Sequence, residues 1–117
     1  MSTFAERIRT RREALAAKDA RYGLRKVASR VGISATYLSL LERGKCEPPS
    51  ERVIEALAQE LGENLDALLA LAGRISSRLV EIIVRDPEGF AAAIESLGQL
   101  SAPARKRAVR EIRDGDW

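Results

Sequence analysis

Apolar residues recur along this chain at helical rather than alternating spacing, in short runs separated by glycine, proline and small polar residues. The clearest pair of runs lies between Leu24 and Lys45. Leu24, Val27, Ala28 and Val31 share one side of a short helix, Gly32 breaks it, and Ile33, Leu38 and Leu41 line a second. Gly32 suits the break because only glycine takes positive φ without steric cost just past a helix end. Ser34 follows as an N-cap, its hydroxyl accepting a backbone N–H from the first turn. Ala35, Thr36, Ser39, Leu40 and Arg43 are left on the outer side of the second helix.

The same pattern places helices on both sides of this pair. Thr3 caps a helix from Phe4 to about Lys18, with Phe4, Ile8, Arg12 and Leu15 on one face. Arg12 stands where an apolar residue is expected. Its stem can lie along apolar surface, but its guanidinium then needs an acceptor, and Glu42, one residue past the inward Leu41, is the best candidate. Residues 19–23 read as a loop that puts Gly23 in the N-cap position. Lys45 to Ser50 is a second loop, and its two prolines stop the preceding helix. Ser50 caps a helix from Glu51 to Leu61 with Ile54, Leu57, Ala58 and Leu61 inward, and Gly62 ends it. Asn64 then caps a fifth, from Leu65 to about Ala72, with Leu65, Leu68, Leu69 and Leu71 supplying core before Gly73 closes the segment.

Past Gly73 three further helices are predicted. Ser76 or Ser77 caps one through about Arg85, with Leu79, Ile82 and Ile83 on one side. Asp86-Pro87-Glu88 combines a cap, a first-turn proline and an acid, and opens a helix to about Gly98 carrying Phe90, Ala93, Ile94 and Leu97. Ser101 and Pro103 open the last, with Val109 and Ile112 on one face and Arg105, Lys106, Arg107, Arg110 and Arg113 around it. The reading is an all-α chain with two parts, 1–73 and a helical extension, 74–117. The extension is too short to bury its own apolar stripes well, so it covers them against the first part or against a second copy.

Composition narrows the chemistry. The chain has no histidine, and Cys46 is its only cysteine. Ser-His-Asp and Cys-His catalysis are excluded, as are a Cys/His zinc site and an internal disulfide. No acidic cluster suggests carboxylate metal chemistry, so neither a metal, a cofactor nor an enzymatic activity is expected. The charged stretch from Glu6 to Arg12 is unlike a signal peptide, and no apolar run approaches the roughly 20 residues of a membrane span. The expected compartment is a microbial cytoplasm, at the nucleoid. Charge is unevenly spread: residues 1–50 hold eleven basic side chains against five acids, and residues 51–117 nine against twelve. A basic front half suits a polyanion-binding head, although an Arg-rich solvated helix surface gives the same count.

The succession Val27-Ala28, Gly32-Ile33-Ser34, Tyr37-Leu38-Ser39, Leu41-Glu42-Arg43-Gly44 and Pro49, then Leu57-Ala58 and Leu61-Gly62, resembles the Xre family of helix-turn-helix regulators, relatives of the lambda and Cro phage repressors. The resemblance covers residues 4–72. It implies a five-helix lambda-repressor-like DNA-binding domain and an ion pair between Arg12 and Glu42, the pair already reached from the inward faces. It places Ala35, Thr36, Ser39 and Leu40 in the major groove of double-stranded DNA. Ser34, Tyr37, Arg43 and Lys45 fall near the phosphate backbone, as do Arg25 and Lys26 in the first turn of the preceding helix. The chain departs from the family in a longer connection between the first two helices and in Gly23-Leu24, where Ser or Thr followed by Gln is commonest. At Leu24 the backbone N–H, rather than a side chain, is left to hold a phosphate.

What this implies is a sequence-specific transcriptional regulator, most simply a dimeric repressor at a palindromic operator near its own promoter. The homodimer is expected to form through residues 75–112, with Leu79, Ile82, Ile83, Phe90, Ile94 and Leu97 at its interface. The competing reading is an antitoxin or accessory regulator whose C-terminal helices bind a partner protein, a toxin or a metallopeptidase. Cys46, a lone loop cysteine with no resolving partner, is read as incidental.

Overall fold

The computed structural model describes residues 3–117, which form eight α-helices and one 3₁₀ turn, with no strand among the described residues. Local chemistry explains most of the boundaries. α1 (Phe4–Ala16) starts from a capping box in which the Thr3 hydroxyl accepts the Glu6 N–H at 3.0 Å and the Glu6 carboxylate reaches back to the Thr3 N–H. It ends two residues before the predicted Lys18. Residues 19–23 are more ordered than a plain loop: the Asp19 carboxylate accepts the Arg21 N–H at 2.9 Å and starts a 3₁₀ turn, Ala20–Tyr22. α2 (Leu24–Val31) and α3 (Ala35–Glu42) follow.

Both of these helices end in the same way. Gly32 takes φ 86°, and Ile33 N–H reaches back to Ala28 C=O at 3.0 Å. Gly44 takes φ 66°, and Lys45 N–H reaches Leu40 C=O at 3.0 Å while Gly44 N–H reaches Leu41 C=O at 3.2 Å. These are Schellman closures, which need a left-handed residue that only glycine supplies cheaply. α4 (Glu51–Leu61) is capped by Ser50, and α5 (Leu65–Leu71) by Asn64.

The chain divides into two compact units, Met1–Ser76 and Ser77–Trp117, the division falling a little beyond Gly73. In the first unit α1, α2, α3, α4 and α5 surround one core. Ile8 of α1, Val27 of α2, Leu38 of α3, Ile54 and Leu57 of α4, and Leu68 and Leu69 of α5 are all fully enclosed. Each large aliphatic side chain so buried contributes roughly 1.5–3 kcal/mol. The core positions fall at i, i+3, i+4 spacings in each helix, so α2 offers Val27, Ala28 and Val31 while its Arg25, Lys26, Ser29 and Arg30 stay outside. Leu65 and Leu71 pack against the core from its edge, half-buried, and the buried Phe4 and Val53 complete it.

The second unit is α6 (Ser77–Ile83), α7 (Pro87–Gly98) and α8 (Ala102–Asp114), with α6 against α7 and α7 against α8. Asp86 and Ser101 cap α7 and α8. None of its side chains is fully buried. No helix among the described residues is long and apolar enough to cross a membrane.

Candidate nucleic-acid interface

α3 is held in place from its inner side by an ion pair that crosses to α1. Arg12 Nε donates to Glu42 Oε2 at 2.6 Å and Arg12 Nη2 to Glu42 Oε1 at 2.8 Å, a bidentate fork. The third arm of the guanidinium, Nη1, donates to the Tyr22 carbonyl at 3.3 Å and so ties the 3₁₀ turn to the same point. Only 12% of the Arg12 side chain and 6% of the Glu42 side chain remain exposed. The hydrogen bonds to Glu42, opposed by desolvation, hold the Arg12 pKa above its ordinary value, so the cation persists at any physiological pH. Because Glu42 is the last residue of α3 and Ser34 caps its start, accepting the Tyr37 N–H at 3.0 Å, both ends of this two-turn helix are fixed.

What α3 then presents is set by its pitch. Leu38, Leu41 and Glu42 are buried; Ser39 and Leu40 are half-buried; Thr36 is exposed. Leu40 is not among the side chains packed on the core, whereas Ala35 and Tyr37 are, each half-buried against it. The Ala35 methyl and the Tyr37 ring thus divide their surface between core and solvent. The outward face is therefore centred on Thr36, Ser39 and Leu40, with Ala35 at its inner margin.

Around that face lie the polar groups that the sequence singled out. Ser34, Arg43 and Lys45 are exposed at the two ends of α3, and the Arg43 guanidinium leans back to the Ser39 carbonyl at 3.3 Å. The Schellman closure at Gly44 fixes the direction in which Lys45 leaves the helix. At the start of α2, Gly23 provides no side-chain cap. The first-turn N–H groups from Leu24 onward therefore lack the side-chain oxygen acceptor that α1, α3, α4, α5, α7 and α8 each have. Arg25 and Lys26 stand exposed in that same turn, where cations oppose the helix dipole. The Leu24 side chain is half-buried against the core.

The structure also sorts the basic side chains of the front half, which charge counting could not. Arg7 pairs with Glu63 at 3.3 Å, Arg11 caps the end of α4 through the Leu61 carbonyl at 2.8 Å, and Arg21 pairs with Asp19 at 2.7 Å. Arg30 bonds Glu60 at 2.7 Å and the Arg21 carbonyl at 2.7 Å and lies over the Tyr22 ring. With Arg12, these five serve the fold. The side chains of Arg25, Lys26 and Lys45 make no hydrogen bond or ion pair to any described residue. Arg9 and Lys18, exposed on and just after α1, are equally unpaired, so the unengaged charge lies along α1 as well as at the α2 start and the α3 end, a shorter set than the eleven basic residues of 1–50 implied.

Of the residues assigned to a dimer interface, Leu79, Ile82, Ile83, Phe90 and Leu97 are half-buried and Ile94 is 56% exposed. Val80, Val84 and Leu100, which the sequence pattern did not single out, are exposed as well. Val80 and Val84 stand four residues apart, a helical repeat that could have marked them, but they flank the stripe of Leu79, Ile82 and Ile83 that periodicity selects. Cys46 is half-buried at the core edge.

Residues 3–72 match the sequence model of a family described as a helix-turn-helix domain. No curated protein and no solved structure matches the chain.

Proposed function

This chain belongs to the helix-turn-helix domain family, and from that premise we propose that it is a sequence-specific transcriptional regulator of the Xre type, not an enzyme, acting as a homodimeric repressor at a palindromic operator near its own promoter. The observation that carries the reading is α3: a short helix clamped to α1 through Glu42, with Thr36, Ser39 and Leu40 outward and unengaged cations at its end and at the start of α2. Phosphate contacts fix register and supply affinity, and groove contacts supply preference. Ser34, Arg25, Lys26, Arg43, Lys45 and the Leu24 N–H take the first role, with the Tyr37 hydroxyl beside them. Thr36 and Ser39 take the second through their hydroxyls, and Leu40, Ala35 and the Thr36 methyl through contact with thymine methyl groups. None of these is an Arg, Asn or Gln able to make a bidentate base contact, so DNA shape carries part of the specificity.

Two copies follow from the same reading. A palindromic site presents half-sites about 34–36 Å apart, and a dimer offers two copies of α3 to match. The second unit, with no fully buried side chain and with Val80, Val84 and Ile94 exposed, supplies apolar surface for it. That surface also favours the second reading, in which these helices hold a different protein, a toxin or a metallopeptidase, and the chain acts as an antitoxin or accessory regulator. Footprinting on the DNA upstream of its own gene tests the proposal. The native chain protects a two-fold symmetric site, and Thr36→Glu with Ser39→Glu abolishes protection while the circular dichroism spectrum is unchanged. Equal protection by that variant refutes the role given to α3.

A further inference from the structure

We propose that α8 is a second phosphate-binding surface, contacting the DNA backbone without regard to sequence; this rests on the DNA-binding reading above. Within α8, Arg105, Lys106, Arg110 and Arg113 fall on one stripe at i, i+1, i+5 and i+8; Asp114 borders it, and Glu111 and Arg107 lie beyond that edge. Together with Ala102 and Val109 the four cations line an open groove of about 490 Å³. From Lys106 to Arg113 the stripe runs about 10 Å along the helix axis at 1.5 Å per residue. B-DNA carries a negative charge roughly every 1.7 Å of its axis, so a stripe of that length faces several phosphates.

Helix stability accounts for Arg113, which lies in the last turn of α8, but not for the rest of this stripe. Anions favour a helix start and cations its end. α1, α4, α5 and α7 follow that rule with Glu6, Glu51, Asp66 and Glu88 in their first turns. α8, like α2, α3 and α6, has no acid there, and it sets Arg105 and Lys106 near its start. Arg105 has a structural duty, donating to the Leu97 carbonyl at 3.0 Å and the Leu100 carbonyl at 2.8 Å at the end of α7, and because these acceptors are neutral its charge is not cancelled. Arg113 shares its guanidinium with Asp114 at 3.1 Å. Lys106 and Arg110 make no side-chain hydrogen bond or ion pair to any described residue. A polyanion is the partner whose charge complements such a stripe. Carried on the same chain as α3, even a weak contact of this kind adds to affinity through its effective concentration.

The test uses the full chain with Lys106→Gln, Arg110→Gln and Arg113→Gln together, leaving Arg105 intact because it holds the end of α7. Fluorescence anisotropy with a labelled random-sequence duplex, and with the footprinted site, is recorded over a salt series. The expected result is a salt slope lowered by about 2 to 3, near 0.9 for each phosphate no longer neutralised, with affinity falling by the same factor on both duplexes. Arg110→Lys with Arg113→Lys keeps the native slope. An unchanged slope in the triple glutamine variant, while Thr36→Glu with Ser39→Glu still abolishes site binding, overturns the role of α8 and leaves that of α3 standing. A variant that sediments differently but binds both duplexes as the native chain does also overturns it, since the stripe then belongs to a protein interface. A native chain that binds neither duplex overturns both readings.

Discussion

Arg12→Ala isolates the clamp between α1 and α3. The native pair is bidentate, at 2.6 and 2.8 Å, and is nearly excluded from solvent on both partners. Truncating Arg12 leaves the Glu42 carboxylate buried in place with both acceptors vacated, and also releases the Tyr22 carbonyl. Removing one member of a buried pair costs about 3–5 kcal/mol, against roughly 1 kcal/mol or less for an exposed pair. Since domains of this kind are stable by only about 5–15 kcal/mol, the change is large. In urea denaturation followed by circular dichroism, with a slope of about 1–3 kcal/mol/M, the midpoint drops by about 1 M or more.

Arg12→Met combined with Glu42→Leu removes both charges and recovers most of the loss, because a well-packed apolar pair is often neutral or better. A loss below about 1 kcal/mol in Arg12→Ala refutes the reasoning by showing that the pair is screened by water.

Other outcomes are open to direct measurement. The Arg21 side chain and N–H, bonded to the Asp19 carboxylate, lower its pKa from 3.8 to about 2, so the stability that Asp19 lends the 3₁₀ turn is complete above about pH 4 and fades as pH falls toward 2. Carboxyl NMR titration reads this, and an apparent pKa at the ordinary 3.8 contradicts it. Sedimentation at tens of micromolar gives a dimer for the native chain, and Ile94→Lys shifts it toward monomer; a native chain that stays monomeric there rules out the homodimer.

The helices of this chain were legible because their boundaries are written locally. Thr3, Ser34, Ser50, Asn64, Asp86 and Ser101 each cap the helix that the pattern placed after them, and Gly32 and Gly44 end theirs in the left-handed region. Spacing alone also named the inward positions of α2 and α4, since one face of a short helix has only one way to meet a core. The 3₁₀ turn at Ala20–Tyr22 was not legible, because it depends on one side-chain bond from Asp19 rather than on periodicity.

At the candidate interface the sequence made the inner and outer faces of α3 legible, but not which charges around it stay unpaired. The sequence by itself determined that α3 turns small residues outward, that Arg12 in an apolar stripe requires an acid, and that the front half is basic. Which cations are available was decided by tertiary structure. Arg7, Arg11, Arg12, Arg21 and Arg30 are spent on partners such as Glu63 and Glu60, which lie far along the chain, or on carbonyls and the nearby Asp19, while Arg25, Lys26 and Lys45, like Arg9 and Lys18, are not. It likewise moved Ala35 and Tyr37 to the core margin and left Thr36 as the centre of the outward face. The reason is physical: helical pitch fixes which side chains share a face, but whether a charge on that face is paired depends on which helix packs beside it, and that is settled only when the chain folds.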